Sequence, residues 1–253
     1  MKKLDFKKIK NARDFAGTKN KEGKIIPSGI FIRSGNLANI KFSDKFQLKH
    51  KYKIKTIIDL RTEKEVAEKP DKKIRGIKYL NYSLINQSAE GITHEKDRQH
   101  SNNLQGLERM YEQIVLDDFA IDSLKKIFKV LTDINNFPIL FHCSVGKDRT
   151  GIVTLFLLSL LDVERSKIDK DYLESNVICI PESERVYERV LEKTMNHTLA
   201  NKIRLTHIVD IKYLDAAVNA INEKFGSVDN YIKDVIGITD EEKNIFKENV
   251  FNK

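Results

Sequence analysis

Cysteine occurs only twice in this chain, proline only four times, and tryptophan not at all. Two cysteines exclude a disulfide-built scaffold, and a reducing compartment suits them. With four prolines, no stretch rich in proline, glycine and serine, and no internal repeat, the chain offers no place to divide it, and residues 1–253 are read as one domain. Long apolar runs are missing as well. Residues 1–11 alternate lysines with single apolar residues, unlike the continuous apolar stretch of a secretion signal. The longest apolar run, 152–161, is interrupted only by Thr154 and Ser159 and is too short to span a bilayer, so it is read as a buried core helix. The expected location is the cytoplasm, or the exterior reached without a classical signal peptide. No interleaving of aromatic and basic residues suggests a nucleic-acid module. His94 and His100 lack further ligands, so no metal site is expected.

What is present is an ordinary globular balance, 40% hydrophobic and 32% charged over 253 residues, enough to bury a substantial core. The net charge of +8 is uneven: residues 1–84 hold 23 Lys and Arg against 9 Asp and Glu, and the remainder is acidic. Such a basic third is a lysine-rich solvated surface, or a face that attracts anionic substrates and, transiently, an anionic membrane surface.

The densest chemistry lies in His142-Cys143-Ser144-Val145-Gly146-Lys147-Asp148-Arg149-Thr150-Gly151, between the apolar runs 138–141 and 152–161. That order reads as strand, tight loop, helix. A loop entering a helix turns backbone N–H groups inward and adds the positive end of the helix dipole, a cradle for a phosphate dianion. The same field favours a thiolate, which makes Cys143 the nucleophile. Arg149 offers a planar fork for two phosphoryl oxygens. Thr150 can donate its hydroxyl to the sulfur, Gly146 suits a turn where a side chain would crowd the anion, Ser144 and Val145 complete the cradle, and His142 orients the loop through a backbone hydrogen bond. Lys147 widens the anion field and would admit a substrate with additional phosphates.

This pattern resembles the signature of cysteine-dependent protein tyrosine phosphatases, in the bacterial branch whose loop carries Lys-Asp before the arginine. Similar to the same branch are Asn11-Ala12-Arg13-Asp14-Phe15-Ala16-Gly17, Phe31-Ile32-Arg33-Ser34-Gly35, Ile57-Ile58-Asp59-Leu60-Arg61, Asp171-Tyr172-Leu173-Glu174-Ser175-Asn176 and the tail from Tyr213 to Ser227. Ala12 and Ala16 depart from the branch, which more often has a larger residue and a second glycine there. The resemblance implies the cysteine-phosphatase fold, no cofactor, and a variable lid over residues 85–103, a polar stretch that otherwise reads as a loop.

Periodicity places strands at 30–33, 54–60, 77–82 and 138–142, and helices at 43–52, 62–69, 104–116, 119–134 and 149–161. Beyond 161 only helices are read, at 164–176, 181–195, 208–225 and 239–250, with Asp162, Pro181, Gly226 and Gly237 as punctuation. The result is an α/β fold, a central sheet flanked by helices with a helical C-terminal third; its mixed character follows from the resemblance.

Loss of the leaving group calls for a general acid. Asp148, inside the loop, is the first candidate and Asp59, ending a buried strand at the sheet edge, the second. Asp117 and Asp118 fall at a helix junction, where a capping role for Asp118 is favoured. Arg13, Arg33 and Arg61 either approach phosphate or pair with Asp14, Asp59 and Glu65, and Cys179 reads as core packing. The expected activity is hydrolysis of phosphotyrosine, and also of phosphoserine, phosphothreonine and phosphoinositides. The rivals are a dedicated phosphoinositide or inositol-phosphate phosphatase, a sulfurtransferase, which the Arg149-Thr150-Gly151 continuation disfavours, and a silent phosphate-binding module.

Overall fold

A computed structural model describes residues 1–86 and 105–252. Apart from Ile85 and Asn86, the segment read as a lid lies outside the described residues. Six strands, β1 (Lys2–Lys3), β2 (Arg13–Asp14), β3 (Phe31–Ser34), β4 (Thr56–Asp59), β5 (Lys78–Asn81) and β6 (Ile139–His142), form one mixed sheet in the order β1-β2-β3-β6-β4-β5. β1, β2 and β3 pair antiparallel, while β3, β6, β4 and β5 run parallel. The four expected strands lie within or one residue beyond the predicted stretches. The two-residue strands β1 and β2 were not foreseen, because two residues carry no readable alternation.

The helices are α1 (Phe42–Phe46), continued by a wider turn at Gln47–Lys51, α2 (Glu63–Glu68), α3 (Gln105–Leu116), α4 (Asp118–Thr132), α5 (Asp148–Leu160), α6 (Arg165–Glu174), α7 (Asn176–Thr194), α8 (His197–His207), α9 (Ile211–Phe225), α10 (Val228–Asn230) and α11 (Asp240–Phe251). Two of them correct the sequence reading. Pro181, expected to open a helix, lies inside α7, which starts at Asn176. A proline there removes one backbone donor, and burial of Cys179, Ser183 and Val186 along the face packed on α8 outweighs that loss. α8 itself was missed, although Asn196 caps it by accepting from the Leu199 N–H at 2.9 Å.

Alternation in the central strands divides two cores. Phe31, Ile58, Ile139 and Phe141 face one core with α3, α4, α5 and α9, while Ile32, Ile57 and Leu140 face the other, with Leu4, Phe6, Leu48 and Ile77. A strand buried on both faces reads as a continuous apolar run, which is why β4 and β6 were legible. α5 is buried on nearly every side, as the run 152–161 implied. Register places Ser34, His142, Asp59 and Asn81 in one row at the C-terminal ends of the four parallel strands. Sites in parallel sheets form beyond this edge, and there the chain turns from β6 into α5.

Candidate active site

The turn from β6 to α5 holds Cys143 with 2% of its surface exposed, on the wall of a cavity of about 580 Å³. The Gly146 N–H donates to Cys143 Sγ at 3.2 Å. Burial alone pushes the thiol's pKa up, but the Arg149 charge and the side chain and N–H of Thr150 outweigh it, and the net shift is downward. The Thr150 hydroxyl is fully buried and has no well-formed partner elsewhere among the described residues. Gly146 has φ +78°, and a Cβ there would lie 2.4 Å from the carbonyl carbon and oxygen of Ser34. The crowding that demands glycine therefore comes from the end of β3, which packs beneath the loop, as well as from the left-handed backbone.

Arg149 is held by Glu65, a residue the sequence reading offered only as a partner for other arginines. Nη1 donates to Glu65 Oε2 at 2.5 Å and Nη2 to Oε1 at 2.8 Å. Ser144 Oγ donates to the same Oε1 at 2.6 Å, and the Thr62 N–H to Oε2 at 2.9 Å. Burial pushes the Glu65 carboxyl up, but Arg149, Ser144 and Thr62 together bring it down to about 2. The local signal was the pair Thr62 and Glu65, a capping box that opens α2. It fixes the helix start, and only the fold aims the same carboxylate at the loop.

The back of the loop is tied to the N-terminal motifs. Asn11 Nδ2 donates to Gly146 O at 2.9 Å and Arg33 Nη2 to the same oxygen at 2.8 Å. Asn36 Nδ2 donates to Ser144 O at 2.7 Å. Arg33 and Arg13 converge on Asp171 of α6, with Arg13 Nε 2.7 Å from Oδ1 and Arg33 Nη1 on Oδ2. Arg13 thus pairs with Asp171 and not with Asp14, whose carboxylate instead accepts from the Ala16 and Gly29 N–H groups and Ser28 Oγ. The motifs at 11–17 and 171–176 were legible, but their meeting was not.

Asp148 opens α5 and reaches the cavity wall. Its Oδ1 accepts from the Tyr111 hydroxyl at 2.7 Å, and Tyr111 in turn meets the Tyr172 hydroxyl at 2.7 Å. Lys147 is arranged differently from the expectation. Its ammonium is buried, donating to Thr206 O at 3.1 Å and Ile208 O at 3.3 Å and lying 3.2 Å from Asp148 Oδ1. It ties the loop to the junction of α8 and α9 and is already committed to those partners.

Beneath the loop, His142 Nδ1 lies 3.2 Å from Cys143 O, and Nε2 lies 2.8 Å from Asp71 Oδ2 in an ionic approach poorly aligned for a hydrogen bond. Burial opposes the imidazolium, but the Asp59 charge and Asp71 outweigh it, and the pKa is raised. Asp59, the second candidate acid, is turned to Arg61: Nε donates to Oδ1 at 2.9 Å and Nη2 to Oδ2 at 2.6 Å, while Nη2 also meets Asp71 at 2.9 Å. Arg61 and Asp148 line the cavity, whereas Asp59 does not. Asp59, Asp71 and His142 bring three donor atoms within 4.8 Å of one another, but Arg61 already neutralises both carboxylates. Asp117, rather than Asp118, caps α4 by accepting from the Ala120 N–H at 3.2 Å. Cys179 is buried, and it is also part of the cavity wall.

No helix among the described residues is long and apolar enough to cross a membrane. A tyrosine phosphatase family model matches residues 4–252. A tyrosine-protein phosphatase of Cupriavidus necator is 27% identical over 239 residues, covering 93% of this chain and 84% of that protein. A triple specificity protein phosphatase of Mycobacterium tuberculosis is 34% identical over 106 residues, 38% of each chain. A Nostoc commune tyrosine-protein phosphatase is 30% identical over 162 residues, 58% of this chain and 48% of that one. Among solved structures, the core catalytic domain of the PP-IP phosphatase Siw14 from S. cerevisiae aligns at a TM-score of 0.38 and 16% identity, over 66% of this chain and 76% of that one. A family match running from residue 4 to residue 252 takes in the loop, the arginine and the sheet edge that carries them, and on it the chain belongs to the tyrosine phosphatase family and is a phosphoric monoester hydrolase.

Proposed function

We propose that Cys143 is the nucleophile of a two-step phosphomonoesterase working within one domain on phosphotyrosine, phosphoserine, phosphothreonine and phosphoinositides. The observation that carries it is the sulfur at the cavity wall with the Gly146 N–H 3.2 Å away and its pKa lowered chiefly by Arg149 against the effect of burial. Arg149 binds the phosphoryl group with its Nε edge, which has no partner among the described residues while Glu65 holds the far end of the fork. A guanidinium anchored in this way loses little freedom on binding and stays aimed as charge redistributes.

In the first step Sγ attacks phosphorus, the bond to the leaving oxygen breaks, and that oxygen takes the proton of the Asp148 carboxyl. In the second, water attacks the cysteinyl-phosphate and gives a proton to Asp148, the S–P bond breaks, and thiolate and inorganic phosphate are released. Tyr111 and Lys147 hold Oδ1 of Asp148. Asp59 serves this reading as the support of Arg61 and His142. Two free cysteines support a reducing compartment, cytoplasmic or exported without a classical signal, and the basic N-terminal third supports transient contact with anionic membrane surfaces.

The test is Cys143→Ser on p-nitrophenyl phosphate. A serine hydroxyl is not ionised in this field, so turnover falls by at least about three decades while vanadate binding persists, and chelation leaves the wild type active. Substantial turnover by the serine variant would refute the mechanism.

A further inference from the structure

The buried cations of the cavity wall are already held: Arg149 by Glu65, Arg61 by Asp59 and Asp71 behind the wall, and Lys147 by the Thr206 and Ile208 carbonyls beside Asp148. The mouth is different. Lys8 and Lys10, just before β2, and Lys69, at the end of α2, line the same cavity and are exposed. None of their ammonium groups has a carboxylate partner among the described residues. Of the four carboxylates on the cavity wall, Glu65 and Asp148 belong to the loop's own contacts and Glu182 is 3.2 Å from Arg185. That leaves Glu68 against three lysines, a net positive rim.

Among the described residues the wall has no phenylalanine, tyrosine or tryptophan, and its one ring is the His207 imidazole. Residues 87–104, outside the described part, contain no phenylalanine, tyrosine or tryptophan either. A phenyl ring gains from stacking on aromatic faces, and among the described residues this wall offers it one imidazole, His207, and the small apolar surfaces of Val145, Ile178 and Cys179. A hydroxylated ring with several charges meets a better match in the amide of Asn39 and the three ammonium groups.

We infer that Lys8, Lys10 and Lys69 form a second anion subsite at the cavity mouth, and that the site prefers a small polyhydroxylated ring bearing two or more phosphates, one delivered to Cys143 and another held by the lysines. The inference rests on the phosphatase reading above and assigns the role first given to Lys147 to residues whose charge is uncommitted. The chemistry is that of an inositol polyphosphate, free or as a lipid headgroup.

The experiment compares wild type with the Lys8→Gln, Lys10→Gln, Lys69→Gln triple variant on three soluble substrates: p-nitrophenyl phosphate, a free inositol bisphosphate, and a short-chain phosphatidylinositol bisphosphate below its micelle concentration. For both bisphosphates, kcat/KM relative to p-nitrophenyl phosphate falls about tenfold in the variant, mostly through KM, and the effect shrinks at about 0.5 M salt. Glu68→Gln moves the same ratio upward. A ratio that holds within about twofold, a salt-independent loss, or bisphosphates left intact by an enzyme that cleaves p-nitrophenyl phosphate would each overturn the subsite. A fourth arm repeats the comparison on vesicles carrying phosphatidylinositol bisphosphate, and a loss confined to that arm assigns the lysines to membrane attraction and overturns the subsite too. A wild type inactive on p-nitrophenyl phosphate would instead refute the phosphatase reading itself.

Discussion

Glu65 grips Arg149 with both carboxylate oxygens, at 2.5 and 2.8 Å, from a position 84 residues before it in the chain. The same oxygens also take Ser144 Oγ and the Thr62 N–H, so one side chain joins the start of α2 to the loop between β6 and α5. Glu65→Gln keeps the shape but loses the charge and one of the two acceptors. We expect kcat/KM on p-nitrophenyl phosphate to drop about 10- to 100-fold as Arg149 loosens, measured alongside circular dichroism to show an intact fold.

The same pair sets a pH dependence. The Glu65 carboxyl falls from its ordinary 4.5 to about 2 in the fold. Between those values the unfolded chain binds the proton and the folded one does not, so the stabilisation is complete above 4.5 and fades as pH drops toward 2. By about pH 3 the loss is on the order of 2 kcal/mol. Urea unfolding at pH 6 and pH 3 should show a smaller decline for Glu65→Gln than for wild type, and an equal decline would show that the pair does not set it.

Asp148 can be separated from the loop's architecture by leaving-group dependence. Asp148→Asn should slow alkyl phosphates, whose leaving oxygen needs a proton, far more than aryl phosphates, and should flatten the alkaline limb of the pH profile. Tyr111→Phe removes the hydroxyl 2.7 Å from Oδ1, and should reduce alkyl-phosphate turnover by a smaller factor, about two- to tenfold, by letting the carboxyl wander. Equal losses on both substrate types for Asp148→Asn would make it a structural residue.

Gly146→Ala adds a Cβ 2.4 Å from the Ser34 carbonyl at a backbone φ of +78°. Either the end of β3 or the loop must shift, and the loop is the less constrained of the two. Vanadate affinity and kcat should fall together by at least about tenfold, with stability lower by about 1–3 kcal/mol.

Asp171→Asn leaves Arg13 and Arg33 buried around a neutral amide. Breaking such a cluster from one side costs about 3–5 kcal/mol, and urea midpoints should report it. Because Arg33 also donates to Gly146 O, any folded variant should bind vanadate more weakly as well.

The sequence alone determined the parts whose physics is local. Apolar runs on both sides of residues 142–151 sufficed for a buried strand, a tight turn and a buried helix, and that order by itself places Cys143 and Arg149 on a helix N-terminus. The β4 and β6 strands were legible because a doubly buried strand has no polar interruptions. Tertiary structure alone decided the rest. Which carboxylate meets which arginine depends on elements brought together across 84 residues for Glu65 with Arg149 and 158 for Arg13 with Asp171, and like-charged side chains are interchangeable to any local pattern. Lys147, two positions before Arg149, looked like a free cation, yet the junction of α8 and α9, more than 50 residues on, supplies the carbonyls that bind it. Charge is written in the sequence, whereas its neutralisation is a property of distance, and only the folded chain sets distance.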